Sequence, residues 1–176
     1  HPKLILEKIE EEKQSKEKAV KNLIKEYENL KGAAIPRPNV EIYEGIGGFK
    51  SAAKEVILEK DKIAYSIISE KVMNFKPLDI ESYVTKRIAL GIKANVITED
   101  TPRLREHKRK DKESLRETRF LDSIIKGKDY EMAITKNKVI FLRVTDKEQI
   151  GIKIEDPSFA ELQMNIFKLL WDNSKK

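Results

Sequence analysis

Few side chains in this 176-residue chain are equipped for covalent or metal chemistry. It has no cysteine and two histidines, His1 and His107. Thiolate metal sites and disulfides are thereby excluded, and two histidines so far apart do not make a zinc or iron centre. No metal and no cofactor is expected. Two segments carry residue types suited to binding. Gly45-Ile46-Gly47-Gly48 lies between a strand pattern and a helix pattern, where free backbone N–H groups and the helix dipole can hold an anion. Gly45, Gly47 and Gly48 are therefore anion-binding candidates, but the spacing departs from G-x-G-x-x-G, no Walker Lys follows, and the same glycines serve equally as a structural turn. The second segment, RLREHKRKDKESLRETR at residues 103–119, is read as an exposed basic helix. With a net charge of +6 and a pI near 9.3, the chain can approach nucleic-acid phosphate through it. Against that, Glu106, Asp111, Glu113 and Glu117 interrupt the cations and are expected to pair with them. No aromatic residues are interleaved to stack bases.

The segment DYEMAITKNKVIFLRV, residues 129–144, has two apolar runs about a Lys-Asn-Lys turn, an ordinary β-hairpin pattern. It also resembles the catalytic hairpin of the phospholipase D superfamily, which carries H-x-K-x-x-x-x-D. At that spacing Tyr130 stands in place of the nucleophilic His, Met132 in place of the Lys and Asn137 in place of the Asp. A phenol, a thioether and a neutral amide cannot form a phosphoryl-enzyme intermediate, clamp a phosphate or orient an imidazole. The resemblance thus implies a fold of catalytic ancestry with no catalytic residues.

The elements around the hairpin follow from periodicity. Lys3 to Lys31 contains no Gly or Pro and reads as one helix, with apolar residues at both ends and a polar middle, EEEKQSKEK. A helix polar all round is usually solvated or spans between domains. Leu6, Ile9, Val20, Leu23 and Tyr27 are the dimerisation candidates on this coiled-coil-like segment. Gly32 and PRPNV mark the boundary. Beyond it, Val40 to Tyr43 is a predicted strand, and Phe49, Ala52, Ala53, Val56 and Ile57 form one helical face. IAYSII, the helix with Ile80, Tyr83, Val84 and Ile88, and IKANVI complete a β-α-β-α-β series, from which right-handed crossovers predict a parallel core. Strands near TRFL, YEMAI, VIFLRV and IGIKI are expected as antiparallel neighbours, and a last helix buries Phe159, Leu162, Ile166, Phe167 and Leu170.

This order, VEIYEGIGG, IAYSIIS, ESYVTKRIALGIKANVI, DKESLRETRFL, the hairpin, IGIKIEDP and FAELQMNIFKLLW, resembles the effector domain of the TrmB-like transcription regulators. The resemblance implies an α/β, phospholipase D-like mixed sheet with helices on both faces, preceded by a long N-terminal helix. Residues 1–32 are expected to connect and dimerise, and residues 38–173 to form the effector domain. A winged helix-turn-helix is expected ahead of Pro2, so the chain is taken as a C-terminal fragment that reaches DNA through that absent domain. The function implied is a non-enzymatic, ligand-sensing homodimer. A phosphodiesterase or nuclease using other residues, and a direct nucleic-acid binder, are the alternatives. The effector is expected to be a sugar or a phosphorylated metabolite, bound beyond the carboxyl ends of the central strands. Ser66, Ser69, Thr98, Arg119 and Tyr130 are the candidate ligands there, each with a local capping role as the alternative. No apolar run reaches the roughly 18 residues of a membrane span and no signal peptide is recognisable, so a cytoplasmic location is expected.

Overall fold

Alternation of apolar and polar residues every second position, interrupted by amphipathic stretches of period 3.6, dictates a layered α/β arrangement. The computed structural model describes residues 2–31, 37–58 and 62–175. It divides the chain into two compact units, His1–Arg37 and Pro38–Lys176. The first unit is helix α1, Pro2–Lys31, in which Leu6, Ile9, Val20, Leu23 and Ile24 are all exposed. The side chain of Tyr27, and Gly32 to Pro36 of the expected boundary, lie outside the described residues.

The second unit is built on one seven-stranded sheet. Its strands are β1 (Asn39–Glu44), β2 (Ile63–Ile68), β3 (Lys93–Thr98), β4 (Arg116–Phe120), β5 (Tyr130–Ile134), β6 (Lys138–Val144) and β7 (Gln149–Glu155), in the order β1-β7-β6-β5-β2-β3-β4. β2 pairs in parallel with β3, and β3 with β4, while all other pairings are antiparallel. Two expectations are corrected. The first predicted strand does not join the parallel core: β1 lies at the far edge, antiparallel to β7, with three strands between it and β2. The strand at TRFL, expected as an antiparallel neighbour, is β4 and runs parallel to β3. Chain order does not determine lateral order here, because the β5–β6–β7 meander, which needs only tight turns, fills the gap between β2 and β1.

Gly151 helps to place that meander. A Cβ at this position would stand 2.5 Å from Ala52 Cβ, so glycine lets α2 (Gly45–Leu58) lie directly on β7. On that face α2 buries Phe49, Ala52, Ala53 and Val56 against Ala64, Val96, Ala133, Ile140 and Leu142. The short α3 (Glu70–Met73), a 3-10 turn at Lys76–Leu78 and α4 (Ile80–Ala89) follow on, and Val72 of α3 belongs to the same apolar cluster. The opposite face carries the short α6 (Asp122–Ile125) and α7 (Pro157–Asp172); Ala160 and Phe167 of α7 pack with Ile125 of α6 and with Ile67, Ile97, Ile134 and Val139. Asp156 caps it by accepting from Phe159 N at 2.6 Å, and Pro157 occupies the first turn. The helices on both faces match the expected architecture.

Residues 103–119 are not one helix. Pro102–Arg109 form α5, residues 110–115 turn, and Arg116 opens β4. Asp111 holds this turn: its carboxylate accepts from Arg116 Nε at 2.7 Å, Thr118 N at 2.7 Å and Thr118 Oγ1 at 2.9 Å. A carboxylate that bonds forward to a strand five to seven residues on pulls the chain out of helical register. Two of the interleaved acids pair with neighbouring cations as expected, Asp111 with Arg116 and Glu117 with Arg119, and Asp111 does so by folding the segment back.

Candidate functional site

The hairpin at the degenerate positions forms as expected. Thr135 N donates to Lys138 O at 2.9 Å and closes a turn holding Lys136 and Asn137. Tyr130 and Met132, two residues apart, share the α7 face of β5, whereas Asn137 lies in the turn at the strand's other end. The Tyr130 hydroxyl donates to Ile124 O at 2.8 Å, and its ring lies 5.7 Å from that of Phe141. Met132 belongs to the apolar cluster under α7, opposite Phe141 in the ladder. In place of a nucleophile and a phosphate clamp, this face has an aromatic pair and a thioether.

The five expected ligand-binding residues are not brought into one crevice. Ser69 is fully buried and caps α3, accepting from Val72 N at 3.3 Å. Thr98 is fully buried and donates to Ile68 O at 2.7 Å. Arg119 donates to Trp171 O at 2.9 Å, its guanidinium carbon 4.3 Å from the Trp171 ring centre. Tyr130 is committed to Ile124 O. Only Ser66 meets a cavity, and it does so on the α2 and α4 face. Its hydroxyl donates to Glu131 Oε1 at 2.7 Å across the antiparallel β2–β5 pairing. The glycines of the expected anion site stand at the start of α2. Gly45 has φ +67°, and a Cβ on Gly48 would come within 3.1 Å of the Tyr43 backbone, so their roles here are the turn and close packing.

The cavity encloses about 80 Å³ between β2, β3 and β5 beneath α2 and α4, and its lining is mainly apolar. Of its polar side chains, Glu131, Tyr83, Arg87 and Arg116 were not singled out as site residues by sequence reasoning. Glu131 is enclosed by protein, and removal from water pushes its carboxyl up to about 7 even though the Ser66 hydroxyl favours the charged form. Tyr83 makes no hydrogen bond through its hydroxyl among the described residues, and burial first, then the nearby Glu131, push its phenol above the ordinary range while Arg87 opposes them. Arg87, 2% exposed, donates to the carbonyls of Ile92, Leu115 and Ser114. Burial lowers its pKa, and three carbonyl acceptors offset the loss of water.

Both classes of missed residue left a signal. Arg87 falls seven residues after Ile80 on the stripe Ile80, Tyr83, Val84, Ile88, so a helix packed by that stripe must bury it. Glu131 alternates onto the same face as Ala133, between the apolar positions of β5. A charge on a face that periodicity assigns to the core is the detectable anomaly. A second ionic cluster lies beneath α2: Lys153 contacts Glu41 at 2.8 Å and Glu55 at 3.8 Å, and Lys138 contacts Glu55 at 3.0 Å. Hydrogen bonds from Lys153 and then Tyr43 bring the Glu41 carboxyl down to about 2. Among the described residues no group of three or more His, Cys, Asp or Glu is placed to hold a metal, and none of the helices is long and apolar enough to cross a membrane.

No family model and no curated protein matches the chain. Solved structures do. The archaeal chromatin protein TrmBL2, described as showing a novel mode of DNA binding, is 23% identical over the whole of this chain and 71% of its own, with a TM-score of 0.57. NucT from Helicobacter pylori (11% identity, TM-score 0.58) is matched over 79% of this chain and 99% of its own. Nuc from Salmonella typhimurium, a phospholipase D family member (11%, TM-score 0.55), is matched over 79% and 97%. At these identities the likeness is one of fold: the chain has a phospholipase D-like α/β fold preceded by a long helix.

Proposed function

We propose that this chain is the non-enzymatic effector and dimerisation part of a TrmB-like DNA-binding regulator, reaching DNA through a winged helix-turn-helix ahead of α1 and responding to a small molecule. The observation that carries the reading is the hairpin: Tyr130 and Met132 occupy the catalytic spacing on a phospholipase D-like sheet, with the Tyr130 hydroxyl engaged by Ile124 O. With its hydroxyl bonded to a backbone carbonyl, this phenol has no side-chain base hydrogen-bonded to it to activate it as a nucleophile for a phosphodiester. His107, the sole described histidine, sits on α5 beside Arg116 rather than on that hairpin, and burial followed by the neighbouring cations lowers its pKa.

The similarity over the whole chain to TrmBL2, helix included, supports a regulator over an enzyme. The effector expected from the sequence, a sugar or phosphorylated metabolite, does not fit the cavity beneath α4. About 80 Å³ is too small for a hexose. The test is hydrolysis of a bis-aryl phosphodiester by purified protein. No turnover above background is expected. Turnover that survives repurification and is lost in His107→Ala or Tyr130→Phe would overturn the reading in favour of a phosphodiesterase.

A further inference from the structure

We infer that the cavity between the sheet and α4 is a binding site for a short aliphatic primary amine, with the ammonium held by Glu131 and Tyr83. The inference deepens the effector reading above by naming the ligand class, and it rests on that reading for its regulatory meaning.

The argument is one of unengaged hydrogen-bonding capacity. Glu131 receives one bond in the cavity, from Ser66 to Oε1 at 2.7 Å; a carboxylate has about four lone-pair positions, so most of its capacity is free. The hydroxyl of Tyr83, close enough for Glu131 to raise its pKa, has no hydrogen bond among the described residues, although no wholly buried side-chain oxygen or nitrogen is left unsatisfied. The hydroxyl therefore keeps accessible surface, and Tyr83 is part of the cavity lining. Both cations of the lining are engaged, the Arg87 guanidinium by the carbonyls of Ile92, Leu115 and Ser114 and that of Arg116 by the Asp111 carboxylate and His107 O. An anion thus finds both cations already engaged, whereas a cationic donor finds a carboxylate and a phenol oxygen. Three N–H bonds of an ammonium match that acceptor set.

The rest of the molecule is set by shape and lining. Ala64, Val96, Ala133 and Leu142 supply an apolar wall. A cavity of 150 Å³ accommodates benzene, so about 80 Å³ accommodates roughly three or four non-hydrogen atoms. A two- or three-carbon amine meets both limits. Because desolvation holds the Glu131 carboxyl up at about 7, an ammonium beside it favours the charged form, and binding near neutral pH releases a proton.

The experiment is calorimetric titration and thermal melting of the full chain with n-propylamine, against n-propanol and propionate as neutral and anionic isosteres. At pH 7 in two buffers of different ionisation heat, n-propylamine should bind, release a fraction of a proton and raise the melting temperature. Propionate should do nothing, and propanol should bind at least tenfold more weakly. Glu131→Gln, nearly isosteric and relieved of a buried acid, should keep the fold and lose at least tenfold in amine affinity. Tyr83→Phe should lose several-fold. No heat and no shift with propylamine at tens of millimolar, or equal responses to propylamine and propanol that persist in Glu131→Gln, would overturn the assignment. Phosphodiester turnover on the same preparation separates the two readings. Turnover together with amine binding removes the regulator and leaves the site, whereas absence of both removes the site alone.

Discussion

At the scale of single residues, Glu131 contributes a pH dependence of stability opposite to that of an ion-paired carboxylate. Its folded pKa is raised from 4.5 to about 7, chiefly by burial. Between those values the folded state binds more protons than the unfolded chain, so stability falls as pH rises from 4.5 to about 7 and stays lower above it. Glu41 has the usual sign: with its carboxyl down at about 2, its contribution is present above 4.5 and is lost as pH falls towards 2. The two together predict a maximum near pH 4 to 5 from these groups. Replacing Glu131 with Gln should flatten the decline between pH 5 and 7 and raise stability at pH 8, by on the order of 2 kcal/mol. Denaturant melts of both proteins at pH 5 and pH 8 measure it; equal pH slopes would show that Glu131 is solvated and unshifted. Thr98 bonds Ile68 O on the neighbouring strand, and only the capping role of Ser69 was readable as a local alternative at a strand end. That Ser66 points instead to a buried acid was not, because the antiparallel β2–β5 register that sets Ser66 opposite Ala133 and beside Glu131 is a long-range pairing.

At the scale of elements, helix and strand patterns were legible wherever one face is buried: α2, β2, α4, β3, the β5–β6 hairpin and α7 lie where periodicity placed them. Lateral order was not legible. The position of β1 depends on Gly151 admitting Ala52 and on Lys153 reaching Glu41 and Glu55, contacts between residues about a hundred positions apart in the chain. The end of α5 depends on one carboxylate, Asp111, choosing β4 over solvent. Gly151→Ala tests the helix-on-sheet fit directly. The added methyl group would sit 2.5 Å from Ala52 Cβ and 3.4 Å from Leu142 Cδ2, so α2 must lift or β7 must shift, at a cost of about 1–3 kcal/mol. The second-site change Ala52→Gly should recover part of that loss, since it removes the opposing methyl. A fully additive double variant would mean that the two positions do not touch.

At the scale of the molecule, the question is which apolar surface holds two copies together. Along α1, continuing the three-and-four spacing from Leu6 and Ile9 meets Lys13 and Lys16 before Val20 and Leu23, so a two-stranded seam there is charged at its centre and weak for its length. The folded domain exposes a second surface. Val40 and Ile42 on β1, 55% and 67% exposed, lie on the sheet face opposite α2, beyond the reach of α7, which packs on β2, β5 and β6. On α7, Leu162 and Ile166, which periodicity assigned to the buried face, are instead exposed, as is Leu169. Exposed large apolar side chains of this kind on a folded domain suit an interface, and a standard two-fold interface covers about 800 Å² on each partner. The prediction is that the full chain is a dimer by light scattering at roughly 100 μM and that Ile42→Asp makes it monomeric, while Leu23→Asp on α1 weakens it less. A charge at the centre of a desolvated patch costs about 2 kcal/mol or more, enough to shift the dissociation constant about thirtyfold. A monomer in the unmodified chain at that concentration would set the association free energy weaker than about −5.5 kcal/mol and reject the homodimer. Loss of the dimer in Leu23→Asp with none in Ile42→Asp would instead assign assembly to the helix, leaving the sheet face for another partner.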